Sequence, residues 1–90
     1  SAASDVYKRQ ILMDWKVIES RLVKTYEDKS FSSIIEKLNV LAKKADELDH
    51  HPDFAVLDYN KIRFELWTHS ANSVTAVDYK MAEIIDTLFG

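Results

Sequence analysis

"SFSSIIEKLNVLAKKADEL", residues 30–48, has the periodicity of one amphipathic helix near the middle of this 90-residue chain. Apolar residues recur there at the i, i+3, i+4, i+7 spacing of a single helical face, and charged residues occupy the other side. Pro52 cannot continue the helix. We therefore predict a half-buried helix of about five turns, given 3.6 residues per turn. Its apolar set is Phe31, Ile34, Ile35, Leu38, Leu41, Ala42, Ala45 and Leu48.

Two pairs of strands are predicted on either side of this helix. Upstream, residues 15–20 and 22–26 are rich in β-branched and aromatic side chains, with a hairpin turn at residues 19–21. Downstream, residues 54–57 and the alternating run 59–69 predict the second pair. In that run one face holds Ile62, Phe64, Leu66 and Thr68, and the other holds Lys61, Arg63, Glu65, Trp67 and His69.

Helices are predicted at both ends of the chain. Ser4 and Asp5 begin the first, which runs to Trp15, and Thr75 with Asp78 has the form of a capping box that begins the last. The order αββαββα predicts an α+β fold, with a four-stranded antiparallel sheet and helices packed on one face, in a single domain of residues 1–90. The last helix should bury Val77, Met81, Ile84, Ile85 and Leu88.

Composition narrows the classes of function. The formal net charge is −3 and no basic stripe is present, so direct nucleic-acid binding is not expected. No apolar run approaches the roughly 18 residues of a membrane span. The chain has no cysteine, which excludes disulfides and a thiolate nucleophile and favours a cytoplasmic, or also nuclear, location.

All three histidines lie where predicted elements end: His50 and His51 follow the long helix, and His69 ends the last strand. A helix C-terminus favours a charged imidazole, and the neighbouring carboxylates of Asp46 and Asp49 act in the same direction. The residues therefore predict an imidazole poised for proton transfer, with solvated helix-terminal residues as the alternative.

Two other kinds of site are less consistent with this pattern. Adjacent histidines in an extended segment point apart and no cysteine is present, so a metal site stays a minor alternative. A triad could be composed from Ser70 or Ser73 with His69 and Asp78, but no nucleophile elbow surrounds either serine. We set hydrolase chemistry aside.

The spacing of the polar residues resembles the signature of the pterin-4a-carbinolamine dehydratases, also called 4a-hydroxytetrahydrobiopterin dehydratases. From Asp46, gaps of three, six, nine and eight residues lead to "HHP" at residues 50–52, Tyr59, His69 and Asp78, a span of 33 residues. "YNKIRFELWTH" and "TAVDYKMAEIID" resemble the family's last strand and final helix, so that the resemblance covers nearly the whole chain.

This resemblance implies an αββαββα fold, homodimers or homotetramers, and dehydration of 4a-hydroxytetrahydrobiopterin to quinonoid dihydrobiopterin without a metal or an organic cofactor. The pterin is the substrate, and the reaction regenerates the cofactor of aromatic amino acid hydroxylases. General acid and base groups can perform it, because a proton leaves N5 and the 4a-hydroxyl leaves as water. Some animal members also act as dimerisation cofactors of a homeodomain transcription factor, so a non-catalytic interaction module is the alternative function.

The resemblance also implies roles for single residues. His50, His51 and His69 correspond to the pterin-site histidines, with His50 the leading general acid and His69 the alternate acid or the base. Asp49 and the segment Trp67, Thr68, His69 and Ser70 resemble substrate-contacting positions, and Asp46 stands where a glutamate is usual. Asp78 is expected to orient a histidine or its loop, and Trp15 matches a supporting aromatic position.

Three positions depart from the family pattern. Asp46 is one methylene shorter than the usual glutamate, and Phe54 replaces a frequent tryptophan. Ser73 stands in "NSVT" where glycine is usual, and it lacks the freedom of glycine at positive φ. The three histidines are intact, so activity is expected, and these departures bear on the shape of the loop after His69 and on the fit of the substrate.

Overall fold

The computed structural model of the chain describes residues 14–90. The elements in order are strands β1 (Lys16–Ile18) and β2 (Arg21–Glu27), helix α1 (Phe31–Leu48), strands β3 (Asp53–Leu57) and β4 (Lys61–Leu66), and helix α2 (Ala76–Phe89). This ββαββα order confirms the predicted α+β class. Residues 4–13 of the predicted first helix lie outside the described range, and its last two predicted residues, Asp14 and Trp15, are not helical.

The four strands form one antiparallel sheet in the order β1-β2-β4-β3. Glu19 and Ser20 make the turn between β1 and β2, with φ of 50° and 63°. Positive φ at both positions is what a type I′ two-residue hairpin turn requires. Arg21, predicted as a turn residue, already pairs with Ile18 in the sheet. Strand β3 lies at an edge of the sheet and α1 precedes it directly.

Helix α1 begins where the periodicity predicts. Ser30 is its N-cap and accepts a hydrogen bond from the backbone N–H of Ser33 at 3.1 Å. Only part of the predicted apolar face is buried. Ile34, Leu41 and Ala45 are in the core, whereas Phe31 and Ile35 stay 51% and 39% exposed.

Helix α2 packs beside α1 and closes the core. Met81 and Ile85 are buried as predicted, but Val77, Ile84 and Leu88 are only partly covered. The helix instead turns Ala82 and Phe89 toward the sheet. Among residues 14–90 the core comprises Trp15, Leu22, Tyr26, Ile34, Leu41, Ala45, Ile62, Phe64, Leu66, Met81, Ala82, Ile85 and Phe89.

Strand β4 is shorter than the alternating pattern predicts. Alternation holds from Lys61 to Leu66, after which a turn begins and only Thr68 makes an isolated bridge, to Ser73. The positive φ in this turn, 52°, belongs to Asn72 and not to Ser73. Ser73 therefore does not need the conformational freedom of glycine. Asparagine tolerates this conformation better than most residues.

A polar cluster joins the sheet to α2 at some distance along that helix from Asp78. Asp86 accepts hydrogen bonds from the Trp15 indole N–H at 3.2 Å, the Lys24 ammonium at 2.8 Å, and the Tyr26 hydroxyl. Burial, and then the Asp86 carboxylate, raise the pKa of Tyr26 far above its ordinary value, so the hydroxyl remains a donor. Neither helix in residues 14–90 is long and apolar enough to cross a membrane.

Candidate active site

The C-terminal end of α1 fixes the backbone of the first histidine. Asp49 follows the helix in the left-handed conformation, with φ of 50°. Its N–H donates to the Asp46 carbonyl at 3.2 Å, and the His50 N–H donates to the Ala45 carbonyl at 3.1 Å. This pair of bonds is a Schellman motif, which satisfies helix carbonyls that would otherwise lack donors. His50 therefore leaves the helix in one defined direction.

The His50 side chain meets a buried carboxylate on α2. Its Nε2 lies 2.6 Å from Asp78 Oδ1, and the two side chains are 14% and 0% exposed. The other oxygen, Oδ2, accepts from the Thr68 hydroxyl and from the Thr75 N–H, both at 2.8 Å. Asp78 is thus part of the predicted capping box and also a partner of His50. In the tautomer with hydrogen on Nε2, His50 donates this hydrogen bond to the Asp78 carboxylate, and Nδ1 is the ring nitrogen that has no partner among residues 14–90.

The second histidine has a carboxylate partner of a different kind. His51 Nε2 lies 2.9 Å from Asp46 Oδ1, but these side chains are 58% and 78% exposed. Exposed ion pairs contribute little because water screens them and two side chains lose freedom. Asp46 therefore biases the His51 ring without holding it firmly.

The third histidine contacts an indole. The rings of His69 and Trp67 stack with centroids 4.0 Å apart and planes 23° from parallel. Trp67 in turn donates its Nε1 hydrogen to Asp53 Oδ2 at 3.1 Å, and the Arg21 guanidinium carbon lies 4.7 Å from its ring centroid. His69 is exposed and Trp67 is half-buried.

These segments enclose a cleft of about 500 Å³ between the end of α1, the start of β3 and the turn after β4. Its volume lies within the range of about 300 to 1,000 Å³ that is usual for small-molecule sites. All three histidines line it, together with the predicted Asp49, Thr68 and Ser70; the full lining is Asp49, His50, His51, Pro52, Asp53, Thr68, His69 and Ser70.

Four predicted site residues lie outside this lining. Asp78 is behind His50, and Asp46 bonds to His51 from the solvent side. Trp67 packs against His69 and not into the cleft. Trp15 belongs to the core and to the Asp86 cluster, so it does not join the histidines.

Sequence reasoning missed two residues of this region. Asp53 lines the cleft and holds Trp67, and its position directly after "HHP" was the available signal. Arg21 reaches Trp67 from β2, and nothing in the sequence pattern indicates this pairing. Within residues 14–90, no three His, Asp or Glu side chains converge in the manner of a metal site.

Comparison with known proteins agrees with the geometry. The family model described as "Pterin 4 alpha carbinolamine dehydratase" matches residues 2–88. A Metallosphaera sedula protein, provisionally named a pterin-4-alpha-carbinolamine dehydratase, is 40% identical over 77 residues, which cover 86% of this chain and 79% of the relative. A Nostoc punctiforme protein of the same name is 37% identical over 79 residues, which cover 88% of this chain and 84% of the relative.

A solved structure supports the same relationship. It is the crystal structure of a "transcriptional coactivator/pterin dehydratase" from Brucella melitensis, with a TM-score of 0.85 at 28% sequence identity. The match covers 100% of this chain and 97% of that chain. Together with the sequence matches, it confirms the resemblance inferred from the histidine spacing. The chain belongs to the pterin-4-alpha-carbinolamine dehydratase family.

Proposed function

We propose that this chain dehydrates 4a-hydroxytetrahydrobiopterin to quinonoid dihydrobiopterin and water. In this reaction the bond from C4a to the hydroxyl oxygen breaks, the N5 proton leaves, and a double bond forms between C4a and N5. The observation that carries the proposal is the convergence of three imidazoles on one cleft, one of them bonded to a buried carboxylate. Such a set can supply both the acid and the base that the step needs.

His50 is the general acid in this proposal. Asp78 accepts the Nε2 hydrogen, so the protonated ring has its transferable proton on Nδ1. The departing hydroxyl takes that proton and leaves as water. The Asp78 carboxylate stabilises the imidazolium before transfer and keeps the neutral ring in one tautomer afterwards.

His69 is the base that removes the N5 proton, or the alternate acid. Its ring has no carboxylate within hydrogen-bonding distance among residues 14–90, unlike the other two histidines. Asp49 and Ser70 are proposed substrate contacts because they line the same cleft. Thr68 lines it too, but its hydroxyl is already bonded to Asp78.

The proposed reaction uses neither a metal nor an organic cofactor, since both proton transfers are assigned to imidazoles. Its product is a quinonoid dihydropterin, which serves the regeneration of tetrahydrobiopterin for aromatic amino acid hydroxylases. Metal-dependent catalysis through the same histidines is the competing chemistry. It predicts loss of turnover on chelation, whereas the proposal predicts none.

The test follows the loss of 4a-hydroxytetrahydropterin absorbance with purified protein, with and without a chelator. His50→Ala and His69→Ala should each lower the rate on the order of 100-fold or more, the usual scale of acid-base catalysis. Lys80→Ala, on the outer side of α2, is the surface control, and circular dichroism monitors folding of every variant. Wild-type turnover in both histidine variants would rule out the histidine mechanism.

An apolar surface next to the cleft supports a second proposal, that the chain forms a homodimer or homotetramer. Ile35 and Phe54 are 39% and 51% exposed, and with Pro52 they border a groove of about 390 Å³ between α1 and edge strand β3. Patches of this kind are usually covered by a partner. His51 borders the same groove, so assembly there would also shape the cleft.

The same surface underlies the alternative function, a non-catalytic interaction module. The Brucella melitensis neighbour is described as a transcriptional coactivator as well as a pterin dehydratase. Light scattering with size exclusion should give a dimer or tetramer mass for the wild type and a smaller mass for Ile35→Lys, with Lys80→Ala as control. Monomeric wild type at micromolar concentration would contradict assembly. Partner binding without turnover would favour the module.

A further inference from the structure

We propose that Trp67 is a positioning residue that holds the imidazole of His69 in its working orientation. The inference rests on the proposed dehydration, in which His69 transfers a proton. It changes the role expected from the sequence, where Trp67 was a substrate contact. The indole is not part of the cleft lining, and the ring that it contacts face to face is the His69 imidazole.

His69 needs such a support more than the other histidines do. His50 is held by Asp78, and His51 is bonded to Asp46. His69 follows the end of β4 in a turn, is exposed, and has no carboxylate partner within residues 14–90. A free exposed imidazole samples several rotamers. The stack with Trp67 is nearly parallel, 23° from coplanar at 4.0 Å, and it restricts the plane of the His69 ring. The ring nitrogens of His69 make no hydrogen bond within residues 14–90.

Trp67 can act as this support because three strands hold it. Asp53 at the start of β3 accepts its Nε1 hydrogen at 3.1 Å. The Arg21 guanidinium, from β2, lies 4.7 Å from the indole centroid and is itself bonded to Glu65 of β4 at 2.9 Å. Cation–π contact and the hydrogen bond together fix an aromatic ring that is only half-buried. The strands thus set the ring plane of His69, although His69 itself lies beyond the end of β4.

The two possible roles of Trp67 predict different kinetics. If Trp67 positions His69, Trp67→Leu should lower kcat about tenfold with little change in KM, because misplaced catalytic groups slow the chemical step. If Trp67 contacts the pterin instead, the same variant should raise KM with kcat preserved. Trp67→Phe keeps an aromatic face and should restore most of kcat; an equal loss in both variants would overturn the proposal.

A double-mutant cycle tests whether Trp67 acts on kcat through His69. When His69 is already alanine, the further change Trp67→Leu should have no additional effect on kcat, since the supported ring is absent. Additive losses would mean that Trp67 acts through another group, and they would overturn the proposal.

A spectroscopic measurement separates failure of this inference from failure of the proposed reaction. Protons above an indole face shift upfield through its ring current, so the His69 ring protons should move downfield in Trp67→Leu and stay close to wild type in Trp67→Phe. The resonances are assigned by comparison with His69→Gln, and a backbone amide spectrum checks folding. Unchanged His69 resonances in a folded Trp67→Leu would overturn the stack, whether or not the chain turns over pterin.

Discussion

His50 and His51 are adjacent in the chain and each has an aspartate partner, yet their surroundings differ sharply. The Asp78 carboxylate is fully buried and uses both oxygens, one for His50 and one for two other donors. The Asp46 side chain is 78% exposed and bonds to His51 alone among residues 14–90. The Asp78–His50 pair joins α2 to the end of α1, whereas the Asp46–His51 pair lies on the surface at the end of α1.

The difference predicts that the partner's environment, and not the type of contact, sets how firmly an aspartate holds a histidine. A buried carboxylate with all its donors in place is costly to disturb, because any lost bond leaves a buried polar group unsatisfied. An exposed carboxylate can exchange its partner for water at little cost. Three Asp→Asn substitutions, at Asp78, Asp28 and Asp46 in order of decreasing effect, test this comparison.

Asp78→Asn breaks the buried pair and should have the largest effect. The amide can still accept from Thr75, but an NH₂ group facing His50 forces the imidazole proton onto Nδ1. We expect activity to fall about 100-fold or more, because the variant lacks the carboxylate that stabilises the His50 imidazolium and disfavours the Nε2-protonated ring that remains after transfer. The unfolding free energy should fall by about 1 to 3 kcal/mol, measured by urea titration.

Asp78→Glu is the companion variant, since it keeps the charge and changes only the reach of the carboxylate. It should retain more activity than Asp78→Asn. If Asp78→Asn lost stability while keeping wild-type kcat, Asp78 would act only as a helix cap.

Asp28 lies away from the cleft, and its substitution is expected to have an effect between those at Asp78 and Asp46. Its carboxylate bonds to the Lys37 ammonium and to the Lys29 N–H, each at 2.7 Å, and its side chain is 6% exposed. The Lys37 bond holds the pKa of Asp28 below its ordinary 3.8, against the opposing effect of burial. A lowered folded pKa means that ionised Asp28 stabilises the fold above the unfolded pKa, and that this stability is lost as the pH falls through the folded pKa.

Asp28→Asn should therefore be less stable than the wild type at neutral pH, by about 0.5 to 1.5 kcal/mol for one lost charge-assisted bond. The difference should begin to shrink below about pH 4, the pKa of the unfolded carboxyl, and should be lost as the pH falls through the lower pKa of the folded carboxyl. Denaturant unfolding from pH 2 to 7 measures it, with Asp58→Asn on the exposed turn as control. A gap that stayed constant across this range would contradict the assignment.

Asp46→Asn should have the smallest effect on stability, within about 0.5 kcal/mol, because both members of its pair face water. Any loss should vanish in 1 M salt, where the screening length is only about 3 Å. Asp46→Glu keeps the charge and lengthens the side chain by one methylene, and it serves as the matched variant. A stability loss comparable to that of Asp78→Asn would mean that exposure does not distinguish the two pairs.

Local patterns predicted most of the fold. The spacing of Ile34, Leu41 and Ala45 predicted α1, and the alternation around Phe64 predicted β4, because burial on one face imposes a period in each case. The end of β4 at Leu66 could not be predicted, since Trp67 and His69 continue the alternating pattern after the chain has left the sheet.

The candidate site, like the fold, could be predicted only where local patterns carry the information. Histidine spacing and family resemblance identified the imidazoles, and Asp78 was expected to orient a histidine. Which histidine it contacts depends on how α1 and α2 pack, and no local pattern contains that information. The contact of Arg21 with Trp67 was inaccessible for the same reason, because it depends on strand order.

The Schellman motif at the end of α1 has a consequence for chain length. A residue added or removed within α1 rotates everything after it by about 100°, given 3.6 residues per turn. His50 would then leave the helix on the wrong side of Asp78, even if the core repacked. The eighteen residues of α1 therefore act as a fixed spacer between its N-cap and the cleft.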